Sequence, residues 1–219
     1  MKPIIRHVVW DWNGTLFDDL HIVLEAVNRG LDSVGASPIG LSEYRDYYTR
    51  PVRVFYDRVF GRELNDMEWR QLDERFHESY LKLLNHARLA PDALDALEVV
   101  RGKGITQSLL SMFPHEHLVP LVEQMGLDFY FQRIDGLDGI EGQPGDAKSE
   151  YLAVHLEAII GREDPTRVLL VGDTPDDALA AREVGTQCVL VDNGSQHRGD
   201  LEREGVPVVD CLLSAVLRS

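Results

Sequence analysis

From Pro91 onward the chain alternates short apolar runs with segments of helical periodicity, and this alternation constrains the fold more than any other feature. The strand-like runs cover residues 105–110, 167–171, 188–191 and 206–209. The helical segments cover residues 92–101, 114–125, 148–160 and 175–184. Strands separated by helices form βαβ units, which build a mainly parallel sheet with helices on both faces. We therefore predict an α/β fold with a three-layer, Rossmann-like parallel sheet core.

A further strand is predicted at residues 4–10, but a long helical block separates it from the others. Helices are expected at residues 20–34, with Asp18 as the cap, and at 41–48, 51–60 and 66–84, the last opened by an Asn65/Glu68 capping box. We expect residues 1–17 and 90–219 to form the α/β core, and residues 18–89 to form an inserted all-helical cap domain.

Composition narrows the possible partners. The 219 residues carry a formal charge of −15, which disfavours binding to nucleic acid or to an anionic membrane surface. No segment has the pattern of a signal peptide or a membrane span, and the two cysteines, Cys188 and Cys211, do not suggest a secreted disulfide framework. We predict a cytoplasmic protein, monomeric or homodimeric, whose anionic ligands need a locally positive site.

Polar side chains follow the predicted strands at their carboxyl ends, where open parallel sheets bind ligands. Asp11 follows the first strand, Ser111 the second and Asp173 the strand at residues 167–171. Lys148 opens a later helix. If the fold is right, two carboxylates, a hydroxyl and an ammonium converge at one edge of the sheet.

These segments together resemble the haloacid dehalogenase superfamily of phosphotransferases. The matching motifs, in chain order, are VWDWNGTLFD at residues 9–18, SLLSM at 108–112, GDAKSE at 145–150 and VGDTPDD at 171–177. One such motif arises easily by chance, but four in order on the expected elements are specific. The layout resembles the phosphoglycolate phosphatase branch, whose substrate is a small phosphorylated metabolite.

The resemblance implies a role for each motif residue. Asp11 would be the nucleophile that forms an aspartyl-phosphate, and Mg²⁺ would be held by Asp11, the backbone carbonyl of Asn13, Asp173 and Asp177. Ser111 and Lys148 would stabilise the transferring phosphoryl group. The residues expected to contact substrate are Gly14, Thr15 and Met112 in the core, and Arg50 and Arg53 in the cap.

Several of these residues have structural alternatives. Asp11 could be an ordinary turn residue, and Asp177 could cap the helix that starts with Thr174 and Pro175, a role compatible with metal binding. Ser111 could cap the helix near residue 114, and Lys148 could be a solvated first-turn residue. The two cap arginines could be ordinary surface residues.

Asn13 departs from the family pattern, because phosphatases of this superfamily normally carry a second Asp two residues after the nucleophile. An amide cannot exchange a proton at neutral pH, and losing general acid–base help typically costs about 10²- to 10⁴-fold in rate. The substrate could have a good leaving group, or Asp18, Asp19 or His115 could carry the proton. The chain could also be an engineered variant, a deamidation product could restore the acid, or the protein could be a phosphate-ligand binding or regulatory module with impaired turnover. A metal-free 2-haloacid dehalogenase is the other alternative.

Overall fold

The computed structural model describes residues 3–137, 147–161 and 164–217. The chain divides into two compact units. One comprises residues 1–17, 89–194 and 198–219, and the other comprises residues 18–88 and 195–197. Both are described below within the ranges just given.

The first unit is built on a six-stranded sheet in which every paired strand is parallel. Its strands, in spatial order, are β5 (Ile134–Leu137), β4 (Thr106–Pro114), β1 (His7–Trp10), β6 (Val168–Gly172), β7 (Gln187–Val191) and β8 (Val208–Val209). From the central β1 the chain adds strands first on one side and then on the other. The carboxyl ends of β1, β4 and β6 therefore lie side by side at the point where the strand order reverses.

Helices cover both faces of this sheet, which makes the three-layer architecture expected of the α/β core. They are α5 (Ala93–Gly102), α6 (His115–Gln124), α7 (Lys148–Ile160), α8 (Pro175–Val184), α9 (Arg198–Arg203) and α10 (Leu212–Leu217). Successive side chains along β1 point to opposite faces of the sheet, and each face is covered by helices. Val9 packs in the core cluster with residues of α7 and α8. The next residue, Trp10, donates its indole N–H to Gln107 Oε1 at 2.9 Å, and Gln107 Nε2 donates to a carbonyl of α5.

Most predicted elements of this unit occur within a few residues of the expected bounds, but four differences are informative. The strand predicted at 105–110 continues to Pro114, so the expectation that Ser111 follows the strand is wrong. Pairing with β5 supports the extra length, through Pro114 opposite Leu137. The elements β5, α9 and α10 were not predicted, because Asp135 and Gly136 interrupt the apolar pattern of β5 and the two helices span fewer than two turns.

The second unit consists of α1 (Leu20–Ser33), α2 (Leu41–Tyr47), α3 (Val52–Phe60) and α4 (Asp66–Leu83). Its core contains Val27 and Leu31 of α1, Phe55 and Tyr56 of α3, and Leu72 of α4. These residues follow the helical spacing of apolar side chains in the sequence.

The two predicted caps of the helical unit have different outcomes. The capping box is confirmed, because Asn65 Oδ1 accepts from Glu68 N at 3.0 Å and Glu68 Oε2 accepts from Asn65 N at 3.1 Å. Asp18 as the cap of α1 is wrong, since Asp18 ends a short strand and Asp19 occupies the cap position without a side-chain cap bond. Asp19 instead accepts a hydrogen bond of 2.7 Å from the Tyr80 hydroxyl.

Two short strands, β2 (Phe17–Asp18) and β3 (Arg88–Leu89), pair with each other in a separate two-stranded sheet. Among the helices that the structure describes, none combines the length and the apolar character that crossing a membrane requires.

Candidate active site

Three carboxylates converge at the carboxyl edge of the parallel sheet. Asp11 follows β1, Asp173 follows β6, and Asp177 lies in the first turn of α8. One carboxylate oxygen from each lies within 4.8 Å of the others, and the three residues are 6%, 3% and 0% exposed. Asp11 and Asp173, which are 162 positions apart in the sequence, meet because β1 and β6 are neighbours in register, with Trp10 opposite Val171.

Lys148, the first residue of α7, supplies positive charge to this cluster. Its ammonium donates to Asp11 Oδ1 and lies 2.5 Å from Asp177 Oδ1. Lys148 is only 8% exposed, so the alternative that it is a solvated first-turn residue is wrong. Lys148 therefore shields two of the three carboxylates from each other.

The loop after β1 brings backbone and a hydroxyl against the carboxylates. Thr15 Oγ1 lies 3.2 Å from Asp11 Oδ2 and 3.3 Å from Asp173 Oδ1, so a single hydroxyl hydrogen serves two carboxylates. Gly14 has φ +73°, and a Cβ on it would lie 2.3 Å from Asp173 Oδ2. The loop therefore requires glycine both for its backbone conformation and for its close approach to Asp173.

Asp177 has the capping role that its position predicts. Its Oδ2 accepts from the backbone N–H of Thr174 at 3.0 Å and of Asp173 at 3.2 Å, and from the Thr174 hydroxyl at 2.6 Å. These bonds leave the other oxygen, Oδ1, facing Lys148. The cap thus orients Asp177 and places one of its oxygens in the cluster.

The electrostatics of the cluster follow from burial and from the excess of negative groups. Burial raises the pKa of Asp11 to about 6. The positive charge of Lys148 acts in the opposite direction, but the negative charge of Asp177 partly cancels it. Burial alone would lower the pKa of the Lys148 ammonium, but Asp11 and Asp177 outweigh it and hold that pKa above its ordinary value. The pKa of Asp177 lies below its ordinary value, since Lys148 and the cap hydrogen bonds outweigh burial.

This donor set fits a divalent cation. Three buried carboxylates whose oxygens lie within 4.8 Å of one another face a single ammonium, and a cation would offset the remaining negative charge. Carboxylate oxygens are the ligands that Mg²⁺ prefers. The predicted ligands Asp11, Asp173 and Asp177 are therefore brought together by the fold.

Ser111 and Asn13 lie close to each other at the same edge. The Ser111 hydroxyl lies 3.5 Å from Asn13 Oδ1, a long separation, and Ser111 Oγ accepts from the backbone N–H of Phe113 at 3.1 Å. Helix α6 starts at His115 with Pro114 at its cap position, so the alternative that Ser111 caps it is wrong. Met112, the other predicted residue of this motif, is half-buried in β4.

Asp19 and His115, two of the residues predicted to carry the proton in place of an acid at position 13, take part in other hydrogen bonds. Asp19 is 2% exposed and accepts the Tyr80 hydroxyl hydrogen, and His115 Nδ1 accepts from the backbone N–H of Gly136 at 3.1 Å. If neutral, His115 therefore carries its hydrogen on Nε2. Asp18 is half-buried at the end of β2.

The two cap arginines have distinct surroundings within the helical unit. Arg53 donates to Leu64 O at 2.8 Å and to Asp66 Oδ1 at 2.9 Å. Arg50 is exposed and precedes a cis peptide bond to Pro51. The motif residues Gly145 and Asp146, which precede Lys148, lie outside the described residues.

Two close backbone approaches were not identified from the sequence. A Cβ on Gly194, in the loop after β7, would lie 1.7 Å from Asp173 Oδ2. A Cβ on Gly172 would lie 2.2 Å from Asp177 Cγ. For Gly194 the available signal was the run Asp192-Asn193-Gly194, which is typical of a turn after the predicted strand at residues 188–191.

Comparisons with known proteins agree with this geometry. Residues 5–185 match the haloacid dehalogenase-like hydrolase family. The chain is 26% identical to phosphoglycolate phosphatase 1 of Pseudomonas aeruginosa over 209 residues, covering 93% of this chain and 75% of that protein. It is also 26% identical to a phosphoglycolate phosphatase of Agrobacterium fabrum, covering 95% and 90%. A haloacid dehalogenase-like hydrolase of Streptococcus pneumoniae superposes with a TM-score of 0.83 at 18% identity, covering 98% of each chain.

The fold, the site and these relatives define a phosphoric monoester hydrolase. The chain belongs to the haloacid dehalogenase-like hydrolase family. Its relatives include the phosphoglycolate phosphatases named above, so the family and the branch expected from the motifs are confirmed.

Proposed function

We propose that the protein is a Mg²⁺-dependent phosphatase that hydrolyses a small phosphorylated metabolite, similar to phosphoglycolate, through an aspartyl-phosphate on Asp11. The observation that supports this proposal best is the convergence of Asp11, Asp173 and Asp177 beside Lys148. The phosphoglycolate phosphatases among its relatives support the substrate class.

The proposed reaction has two displacements at phosphorus. A carboxylate oxygen of Asp11 attacks phosphorus, the new oxygen–phosphorus bond forms, and the bond to the leaving oxygen breaks. Water then attacks the phosphorus of the aspartyl-phosphate, the bond between phosphorus and the Asp11 oxygen breaks, and inorganic phosphate leaves. The Asp11 carboxylate is restored, and the proton that the water loses balances the proton that the leaving alkoxide takes up. Burial raises the pKa of Asp11 to about 6, which is still below neutral pH. Its carboxyl is therefore largely ionised, and nucleophilic, at neutral pH.

The other residues bind and orient. Lys148 would neutralise phosphoryl charge from its place beside Asp11, and the Ser111 hydroxyl would donate to a phosphoryl oxygen. Asp11, Asp173, the Asn13 carbonyl and Asp177 would hold Mg²⁺, which offsets repulsion between an anionic nucleophile and an anionic substrate. Gly14, Thr15 and Met112 would contact the phosphoryl group, and Arg50 and Arg53 would contact a carboxylate of the substrate.

Asn13 governs the expected rate, because its amide cannot protonate a leaving alkoxide. A substrate with a good leaving group needs little protonation and should turn over best. Alternatively, the protein binds a phosphate ligand with impaired turnover, a reading that Asn13 specifically favours. The two functions differ in whether any phosphate ester is hydrolysed.

The test is a panel of phosphate esters of graded leaving-group pKa, assayed with Mg²⁺ or with chelator, and 2-chloropropionate as a haloacid control. We expect Asn13→Asp to raise kcat by about 10²-fold or more for phosphoglycolate and far less for p-nitrophenyl phosphate. Asp11→Asn is the matched control, because it removes the nucleophile and changes only one atom. Binding without turnover in every variant would favour the regulatory module, and halide release in chelator would contradict the phosphatase proposal.

A further inference from the structure

A chain of hydrogen-bonded polar side chains, buried at its centre, connects α7 to the sheet apart from the carboxylate cluster. His155 of α7 lies between Asp135 of β5, at 2.6 Å from Nδ1 to Oδ2, and Ser108 of β4, at 2.7 Å from Nε2 to Oγ. Ser108 Oγ lies 2.8 Å from Nε2 of His7 in β1, whose Nδ1 lies 2.7 Å from Thr106 Oγ1. His7 and His155 are 1% exposed and Ser108 is 0% exposed.

The hydrogen-bond chemistry fixes the orientation of the His155 ring. A carboxylate only accepts, so His155 Nδ1 must carry the hydrogen that it donates to Asp135. Burial alone would raise the pKa of the Asp135 carboxyl, but His155 and Arg133 outweigh it and keep that pKa below its ordinary value. The ring is therefore held from two directions, by the half-buried Asp135 and by the buried Ser108.

The same helix carries Lys148 at its first position. His155 follows Lys148 by seven residues, which is about two helical turns and roughly 10 Å along the axis. The buried residues of α7 are Lys148, Leu152, His155 and Leu156, so both polar side chains lie on the face toward the protein interior. Apolar packing of the two leucines is not directional, whereas hydrogen bonds are. His155 thus adds directional hydrogen bonds between the helix and strands β4 and β5.

We propose that His155 is a positioning residue for the reaction proposed above. Its bonds to Asp135 and Ser108 set the rotation and axial position of α7, and this holds Lys148 Nζ between Asp11 and Asp177. The inference rests on the proposed function only for its kinetic consequence, and the placement of Lys148 is testable without it.

The first experiment measures that placement by reductive methylation and mass spectrometry. Lys82, whose side chain is 63% exposed, is the internal reference within each protein. We expect His155→Leu to raise methylation of Lys148 several-fold relative to Lys82. His155→Asn, whose amide can still donate to Asp135, should restore much of the protection. Leu152→Ala is the control for loss of packing on α7 and should leave the ratio near that of the native protein. Unchanged protection in His155→Leu, or equal exposure in Leu152→Ala, would overturn the proposal.

The second experiment is a double-mutant cycle with Lys148→Met, read as kcat for p-nitrophenyl phosphate. We expect His155→Leu to lower kcat by about 10- to 100-fold in the native background, the loss typical of a misplaced catalytic group. In the Lys148→Met background it should have no further effect, because the group it positions is gone. Equal losses in both backgrounds indicate a general structural role and contradict the proposal. If the native protein hydrolyses no ester, the proposed function fails, while the methylation result still decides the placement of Lys148.

Discussion

Replacing Asp11 by Asn should change the pH dependence of stability in a direction that the carboxylate cluster dictates. In the metal-free protein burial raises the pKa of Asp11 from 3.8 to about 6, so the folded state binds this proton more tightly than the unfolded state does. The group therefore stabilises the fold fully below pH 3.8, and this stabilisation disappears as the pH rises through about 6. Asn at this position does not titrate and should lack the loss.

The magnitude follows from the same pKa difference. A carboxyl that moves from 3.8 to about 6 contributes about 3 kcal/mol in all, of which about 2 kcal/mol falls between pH 4.5 and 7.5. The free energy of unfolding of Asp11→Asn, relative to that of the native protein, should therefore rise by about 2 kcal/mol across this window. Urea denaturation in chelator at the two pH values measures the difference. Asp128→Asn, at an exposed position, is the matched control for the substitution itself.

One result would refute this reasoning. If the difference between Asp11→Asn and the native protein falls as the pH rises, then Lys148 outweighs burial and Asp11 is ionised below its ordinary pKa. Adding Mg²⁺ at neutral pH provides a second check. It should stabilise the native protein by an amount that grows with the logarithm of the free Mg²⁺ concentration above the dissociation constant, and have much less effect on Asp11→Asn.

Three other substitutions test separate parts of the structure. Lys148→Met should destabilise the metal-free protein by about 3–5 kcal/mol at neutral pH, because it leaves buried carboxylates unpaired, and denaturation in chelator checks this. Gly14→Ala should abolish Mg²⁺ binding measured by calorimetry, since its Cβ would lie 2.3 Å from Asp173 Oδ2 and φ is +73°; native affinity would contradict the loop geometry. Asn65→Ala should lower the free energy of unfolding by about 1 kcal/mol through loss of the helix cap, with no change in Mg²⁺ affinity.

Local patterns in the sequence were sufficient for most of the secondary structure. The apolar runs that became β1 and β6 and the periodic segments that became α1 and α4 are long enough to show their period. Strand β5 has no such signal, because Asp135 and Gly136 interrupt its apolar pattern. The continuation of β4 past Leu110 depends on its pairing with β5, which local sequence does not encode.

The sequence by itself determined the order of strands and helices, the four motifs and therefore the family, because hydrophobic period and turn residues are local properties. Tertiary structure alone decided which side chains meet. Lys148 and Asp11 are 137 residues apart, and Gly194 approaches Asp173 only because β6 and β7 are neighbours. The His155 chain likewise joins residues from one helix and three strands. Contacts of this kind depend on how distant segments pack, and a single sequence carries no local signal for them.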